Sequence, residues 1–276
     1  MTELDAIQRT QAQPATVASI RADLEVLGVI PGMVLLVHAS LQSLGWVCGG
    51  AVSVILALED ALGSGGTLVM PTHSSDLSDP QRWANPPVPE TWWETIRQEM
   101  PPFDPDLTPT RKMGILAETF RKQPGVLRSG NPQASFAAWG KHAARVTQNH
   151  SLEFRLGEAS PLARIYELDG SVLLLGVSHA VNTSLHLAET RASYPDKRII
   201  TGGAPILRDG ERIWAEFEEI EDGPEDFEII GKAFAQATDD QVCGKIACAT
   251  AMLMPQRSLV DFGVQWMESN RGRQAG

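Results

Sequence analysis

The chain has 276 residues, 43% of them hydrophobic and 21% charged, an ordinary globular composition with room for one large domain or two small ones. Its formal net charge of −11 argues against a nucleic-acid partner, because phosphate binding needs clustered Lys and Arg; it is compatible with a cationic small molecule or simply with solubility. No apolar run approaches the ~18–20 residues that span a bilayer, the start has no charged-then-apolar signal pattern, and three cysteines make neither a disulfide framework nor a zinc set, so the expectation is a cytoplasmic protein with free thiols, no membrane contact and no metal.

Residues 1–14 read as a loose leader. From residue 15, Val17, Ile20, Leu24, Leu27 and Val29 recur roughly at helical spacing, and Gly28 with Pro31-Gly32 ends the helix. Met33 to His38 is a short buried strand, Gly45 to Gly50 a loop, Ala51 to Leu62 a helix, and Thr67 to Met70 a second strand. This strand, helix, strand order predicts a largely parallel or mixed sheet with helices on its faces. The Gly63 turn lacks nucleotide-binding spacing, and no nucleophile-elbow pattern occurs.

Residues 71–109 differ in character, with Trp83, Trp92, Trp93, several prolines and the acids Asp76, Asp79, Glu90, Glu94, Asp104 and Asp106. So long a stretch without periodicity predicts an insertion over the sheet edge, and its rings and acids suit the wall of a cleft for a cationic ligand. Thr110 to Gln123 resumes a helix, Phe136 to Trp139 is a small strand, and Ser160-Pro161 opens another helix. Ser171 to Val177 reads as a buried central strand, followed by a polar loop and a helix with Asn182 or Thr183 as N-cap. His186 then falls in the first turn of that helix, with Glu189 three residues on and on the same face. An imidazole oriented by a carboxylate just past a strand end is a candidate general base. Lys197 to Phe217 reads as strands turning at Asp209-Gly210, Glu216 to Glu228 is an acidic run, and a last helix and strand lie within 234–261.

Four separated stretches together resemble the aminoglycoside 3-N-acetyltransferases. They are Val37-His-Ala-Ser-Leu-Gln-Ser-Leu-Gly45, Gly66-Thr-Leu-Val-Met-Pro-Thr72, Arg128-Ser-Gly-Asn-Pro132 with Ala137-Ala-Trp-Gly140, and Asn182-Thr-Ser-Leu-His-Leu-Ala-Glu189. The resemblance runs over residues 17–266 and implies the antibiotic N-acetyltransferase fold as a single domain. The expected architecture is α/β, with a mixed, mostly parallel central sheet flanked by helices and an acidic, Trp-rich insertion forming the substrate cleft. The implied activity is direct transfer of acetyl from acetyl-CoA to the 3-amino group of a deoxystreptamine aminoglycoside, in a ternary complex, conferring antibiotic resistance.

By the same resemblance His186 is the general base and Glu189 its orienting partner. The family's acid after the Met-Pro-Thr strand falls on Asp79, with Asp76 as the alternative register, and Glu218 is a further candidate for the antibiotic. Ser40, Leu41, Ser43 and Thr110 are expected near acetyl-CoA. Arg128 would meet a CoA phosphate or stand on the surface, and His38 would line the CoA tunnel or bond within the core. His73 is expected to border the antibiotic cleft, and His142, His150 and His179 to be structural or solvent-facing. Two other readings stay open: an acyltransferase of the same fold acting on another amine, and a non-catalytic binder of CoA or aminoglycoside. A homodimer is compatible with the sequence.

Overall fold

A computed structural model describes residues 2–10, 13–221 and 223–272. Parts of two expected segments, residues 1, 11 and 12 of the leader and Asp222 of the acidic run, lie outside the described residues. In chain order the helices are α1 (Glu3–Thr10), α2 (Val17–Leu27), α3 (Gly50–Leu62), α4 (Trp93–Glu99), α5 (Gly114–Phe120), α6 (Ala143–Thr147), α7 (Pro161–Glu167), α8 (Ser184–Arg191), α9 (Phe227–Ala237) and α10 (Gln256–Asn270). The strands are β1 (Val34–Ala39), β2 (Thr67–Pro71), β3 (Leu127–Arg128), β4 (Phe136–Gly140), β5 (Ser171–Leu175), β6 (Ile199–Arg208), β7 (Glu211–Ile220), β8 (Val242–Ile246) and β9 (Ala249–Pro255).

Seven strands form one sheet in the order β3-β4-β2-β1-β5-β9-β8. Period-two alternation sends Leu35 and Val37 of β1 to one face and Val34 and Leu36 to the other. Each set enters its own apolar cluster: α2, α3 and α5 cover the first face, and α6 to α10 the second. Burial on both faces is why β1, β2 and β5 read as unbroken apolar runs. The sheet is mixed, but the expectation that it is mostly parallel is corrected. Only β1 with β2 and β1 with β5 run parallel, while the β2–β4, β3–β4, β5–β9 and β8–β9 pairings are antiparallel. A strand covered on both faces has the same pattern in either direction, so its sense is set by the connections. Ala247-Cys248, a two-residue turn with Ala247 at φ 49°, forces β8 and β9 to be antiparallel.

The leader is also corrected. Residues 3–10 are helical, and Thr10 is tied to the body by its hydroxyl, which accepts from Trp46 N at 2.6 Å. Helix α2 starts in a reciprocal cap between Thr16 and Ser19 and stops at Gly28 in the left-handed region (φ 110°). Ser160 precedes α7 as expected, but its hydroxyl makes no capping bond. Hairpin β6–β7 turns at Asp209-Gly210, both at positive φ, and forms a separate two-stranded sheet. The tail holds two strands and two helices, where one of each was expected.

Residues 72–112 lean on this hairpin. Arg212 of β7 donates to Met100 O and Arg97 O, and Phe103 N donates to Pro205 O. Inside the segment Asp79 grips Arg97 at 2.7 Å, and Trp83 donates its indole N–H to Ser78.

Gly176 (φ 68°) follows the end of β5, and a Cβ there would sit 1.6 Å from the Ser43 hydroxyl oxygen. Gly176→Ala is therefore expected to destabilise the fold by about 1–3 kcal/mol through overpacking. Urea unfolding checks this, and part of the loss should return in the Gly176→Ala, Ser43→Gly double variant.

Candidate active site

The carboxyl ends of the three parallel strands open into two adjoining cavities, where α/β sheets commonly bind ligands. The first is a narrow apolar slot of about 160 Å³ walled by Val37, Ala39, Met70, Leu116 and Val177. The second is wider, about 540 Å³, a size normal for a small-molecule cleft, and it holds most of the charged groups, Lys112 lining the slot. Met113, Val181 and Thr183 border both, so the slot meets the cleft there.

His186 lines the wide cleft three residues beyond that junction. The chain reaches it from β5 through a loop in which the Asn182 side chain accepts from Ser184 N, so α8 begins with its first turn facing the cavities. His186 Nδ1 lies 3.0 Å from Glu189 Oε2, and the imidazole packs edge-on against Phe227 with centroids 4.7 Å apart. Glu189 is 2% exposed. Burial pushes its carboxyl up, but hydrogen bonds and charge from His186 and Arg271 outweigh that and hold it below the usual range. An ionised Glu189 accepts from Nδ1–H, which makes Nε2 the ring nitrogen with the lone pair. That is the tautomer a general base needs.

Of the acids expected to meet a cationic ligand, Asp79 faces the cleft. Asp76 is turned to Arg111 at 3.7 Å and does not line it. Glu218 is exposed, and its neighbour Glu219 is buried in the cleft wall against Arg155 at 2.8 Å. Strand period explains this correction: Ala215, Phe217 and Glu219 share the inward face of β7, so Glu218 must point out. Glu221 and Arg82 complete the charged lining. The insertion contributes His73, Ser75, Ser78, Asp79 and Arg82 to the wall, whereas Trp83, Trp92 and Trp93 do not line either cavity.

Of the residues expected near acetyl-CoA, His38 lines the slot, and its Nε2 shares a 3.2 Å hydrogen bond with Thr183 Oγ. His38 thus lines a cavity and also bonds within the core. The other five are engaged within the fold. Ser40 N donates to Leu175 O, Ser43 Oγ donates to Ser40 O at 2.6 Å, and Leu41 packs on the core. Thr110 donates twice to Glu118. Arg128 donates to Ser135 Oγ and to the carbonyls of Thr72, Pro105 and Thr108, with its guanidinium over the Phe103 ring. Four of the five N–H groups of its guanidinium are used there, so it braces the 103–108 loop and is neither a surface arginine nor an open phosphate ligand.

His73 lines the cleft with Nε2 enclosed and without a polar partner, and its ring is edge-on to Phe136. His150 bonds Ser129 and Arg155 O, and His179 bonds Gln241. Burial lowers His38 to about 3 and His150 to about 4. Below the ordinary value of 6.5, unfolded chain takes up protons at these positions that the folded chain refuses. Stability is therefore expected to fall as pH drops from 6.5 toward 4. Urea unfolding at pH 7 and pH 5 should show the fall, and His38→Gln should remove about 2 kcal/mol of that difference. An unchanged difference in that variant would clear His38 of the effect.

Sequence reasoning missed Arg155, Glu219, Phe227 and Arg271. The two-residue period of β7 could have found Glu219. Nothing in the sequence signals Arg271, which follows α10 in a polar tail yet donates to Glu189 Oε1.

A family model described as aminoglycoside 3-N-acetyltransferase matches residues 36–268. A protein of Bacillus subtilis (strain 168) called SPbeta prophage-derived aminoglycoside N(3')-acetyltransferase-like protein YokD is 47% identical over 93% of this chain and 94% of its own length. The crystal structure of the YokD protein from Bacillus subtilis matches with a TM-score of 0.95 at 44% identity, covering 99% of this chain and 100% of that one. AAC-IIIb, in a binary structure with CoASH, matches at 0.84 and 34% identity over 96% and 100% of the two chains. AAC-VIa bound to sisomicin matches at 0.85 and 29% identity over 94% and 100%.

Proposed function

The chain belongs to the aminoglycoside 3-N-acetyltransferase family, and on that premise we propose that it transfers acetyl from acetyl-CoA to the 3-amino group of a 2-deoxystreptamine aminoglycoside, conferring resistance to that antibiotic. The observation that carries this reading is the His186–Glu189 pair beside the junction of an apolar slot with a charged cleft. The slot suits an uncharged pantetheine arm, and the structure of AAC-IIIb with CoASH supports a coenzyme A ligand for this fold. The cleft suits a polycation, as the sisomicin-bound AAC-VIa does for a relative. Asp79, Glu219 and Glu221 would take the ammonium groups by charge-assisted hydrogen bonds. Ser40 to Ser43 continue from the Val37–Ala39 wall and would meet acetyl-CoA beyond the slot. The described residues include no helix long and apolar enough to cross a membrane. We read residues 1–276 as one catalytic domain.

An ammonium group has no lone pair, so the acceptor must lose a proton before it attacks the thioester. His186 Nε2 would take that proton, and Glu189 would stabilise the imidazolium. The nitrogen then bonds to the acetyl carbon, the carbon–sulfur bond breaks, the new amide nitrogen sheds its second proton to solvent, and the departing thiolate recovers a proton from His186. A thiol-release assay with acetyl-CoA and a panel of gentamicin, kanamycin, apramycin and simple polyamines tests the reading. Release with aminoglycosides supports it. Release with polyamines alone would shift the acceptor to another amine, and release with none, despite binding, would leave a non-catalytic binder.

A further inference from the structure

Glu189 is nearly sealed from water, yet only one of its oxygens serves His186. Its Oε1 accepts from Gly223 N at 3.2 Å and from Arg271 Nη1. Arg271 is itself enclosed, its side chain 14% exposed. Its Nε and Nη2 each hold one Asp226 oxygen at 2.8 Å, Nη2 also donates to Gly223 O, and Nη1 donates to Tyr194 OH at 3.0 Å. The guanidinium lies 4.9 Å over the Tyr194 ring. The next residue, Gly272, runs so close to Pro195 that a Cβ would stand 2.8 Å from its ring. The end of α10 is thus strapped across the back of the His186–Glu189 pair.

We propose that Arg271 is a positioning residue for the base: it fixes the Glu189 carboxylate and, by sharing its charge with Asp226, sets how firmly His186 holds a proton. A carboxylate bound to a guanidinium has less negative field to offer a neighbouring imidazolium. Asp226 in turn draws Arg271 away from Glu189. The two residues therefore act on His186 in opposite senses, through Glu189. Burial presses Arg271 toward neutrality, but the hydrogen bonds and charges of Asp226 and Glu189 outweigh it and raise it above the ordinary value, so it remains a full cation.

Among the described residues, further charged and titratable groups stand around the pair. Lys197 stands nearby with its ammonium on the carbonyls of Thr190 and Ala192, and Tyr194 contributes a phenol. Across the cleft stand Arg155 with Glu219, and Glu221 borders both the cleft and a third cavity behind Glu189. His38 and His73 are kept uncharged by burial. None of these touches both Glu189 and the tail as Arg271 does.

The inference rests on His186 as the base of the proposed reaction, but its test need not. The imidazole Cε1–Hε1 resonance of His186, assigned by its loss in His186→Asn, is followed against pH in wild type, Arg271→Met, Arg271→Lys and Asp226→Asn. The same proteins give pH profiles of kcat/KM. Arg271→Met should move both the titration and the acid limb of the profile up by about one pH unit, Asp226→Asn should move them down, and Arg271→Lys should lie near wild type. No movement, or movement of both variants in one direction, would overturn the proposal. Opposite NMR shifts in a protein that transfers no acetyl group would uphold the positioning role and sink the proposed reaction instead.

Discussion

His186→Ala should lower kcat for acetyl transfer by about 10²–10⁴-fold, the range in which a positioned general base contributes. Its imidazole lines the cleft on the surface of α8 and bonds Glu189, so the change trims the wall of the cleft and leaves the other lining residues of both cavities in place. Binding of acetyl-CoA and aminoglycoside, read by calorimetry, should stay within a few-fold of wild type. Turnover should also lose the acid limb of its pH profile. Unchanged kcat would remove His186 from the chemistry. Lost binding of both ligands would mean that the ring is chiefly a wall.

Glu189 carries the second large effect, on stability as well as rate. Among the described residues, Glu189→Ala leaves the buried Arg271 with Asp226 as its anion, and it frees Nδ1 of His186 from its orienting acceptor. Breaking a buried pair from one side costs about 3 kcal/mol or more, and loss of orientation should lower kcat about 10–100-fold. Denaturant unfolding and steady-state kinetics of the variant check the two losses separately. The pH sign follows from the lowered carboxyl. The contribution of Glu189 is complete above its ordinary 4.5 and disappears as pH falls through its lower folded value. The Glu189→Ala variant should therefore lose less stability than wild type on acidification below pH 4.5. A variant as stable and as active as wild type would refute both roles.

The site was legible where one local rule was enough. His186 and Glu189 share a helical face because they stand three apart, and the preceding apolar run placed them at a strand end. His38 was legible as a position at a strand end, whereas Asp79 came from the family resemblance, with Asp76 as the alternative register. Long-range pairing was not legible. Arg128 reads as a loop cation, and only folding brings carbonyls from 72, 105 and 108 around it. Arg271 meets Glu189 across 82 residues of sequence with no periodicity to announce it. Strand direction was hidden for a different reason: β4 is largely buried, as a parallel strand would be, and its reversal, like that of β9, follows from the routes that deliver them. Glu218 was an error of phase, since the alternation of β7 was available and points to Glu219.

Direct acetyl transfer to one amine is tested most sharply by locating the acetyl group itself. Wild-type protein is mixed with acetyl-CoA labelled in its carbonyl carbon and with a 2-deoxystreptamine aminoglycoside, and the product is resolved by NMR and mass spectrometry. One label per antibiotic molecule on the 3-amine, in step with thiol release, is the expected result. Thiol release with the antibiotic unlabelled, or label on a different amine, would contradict it.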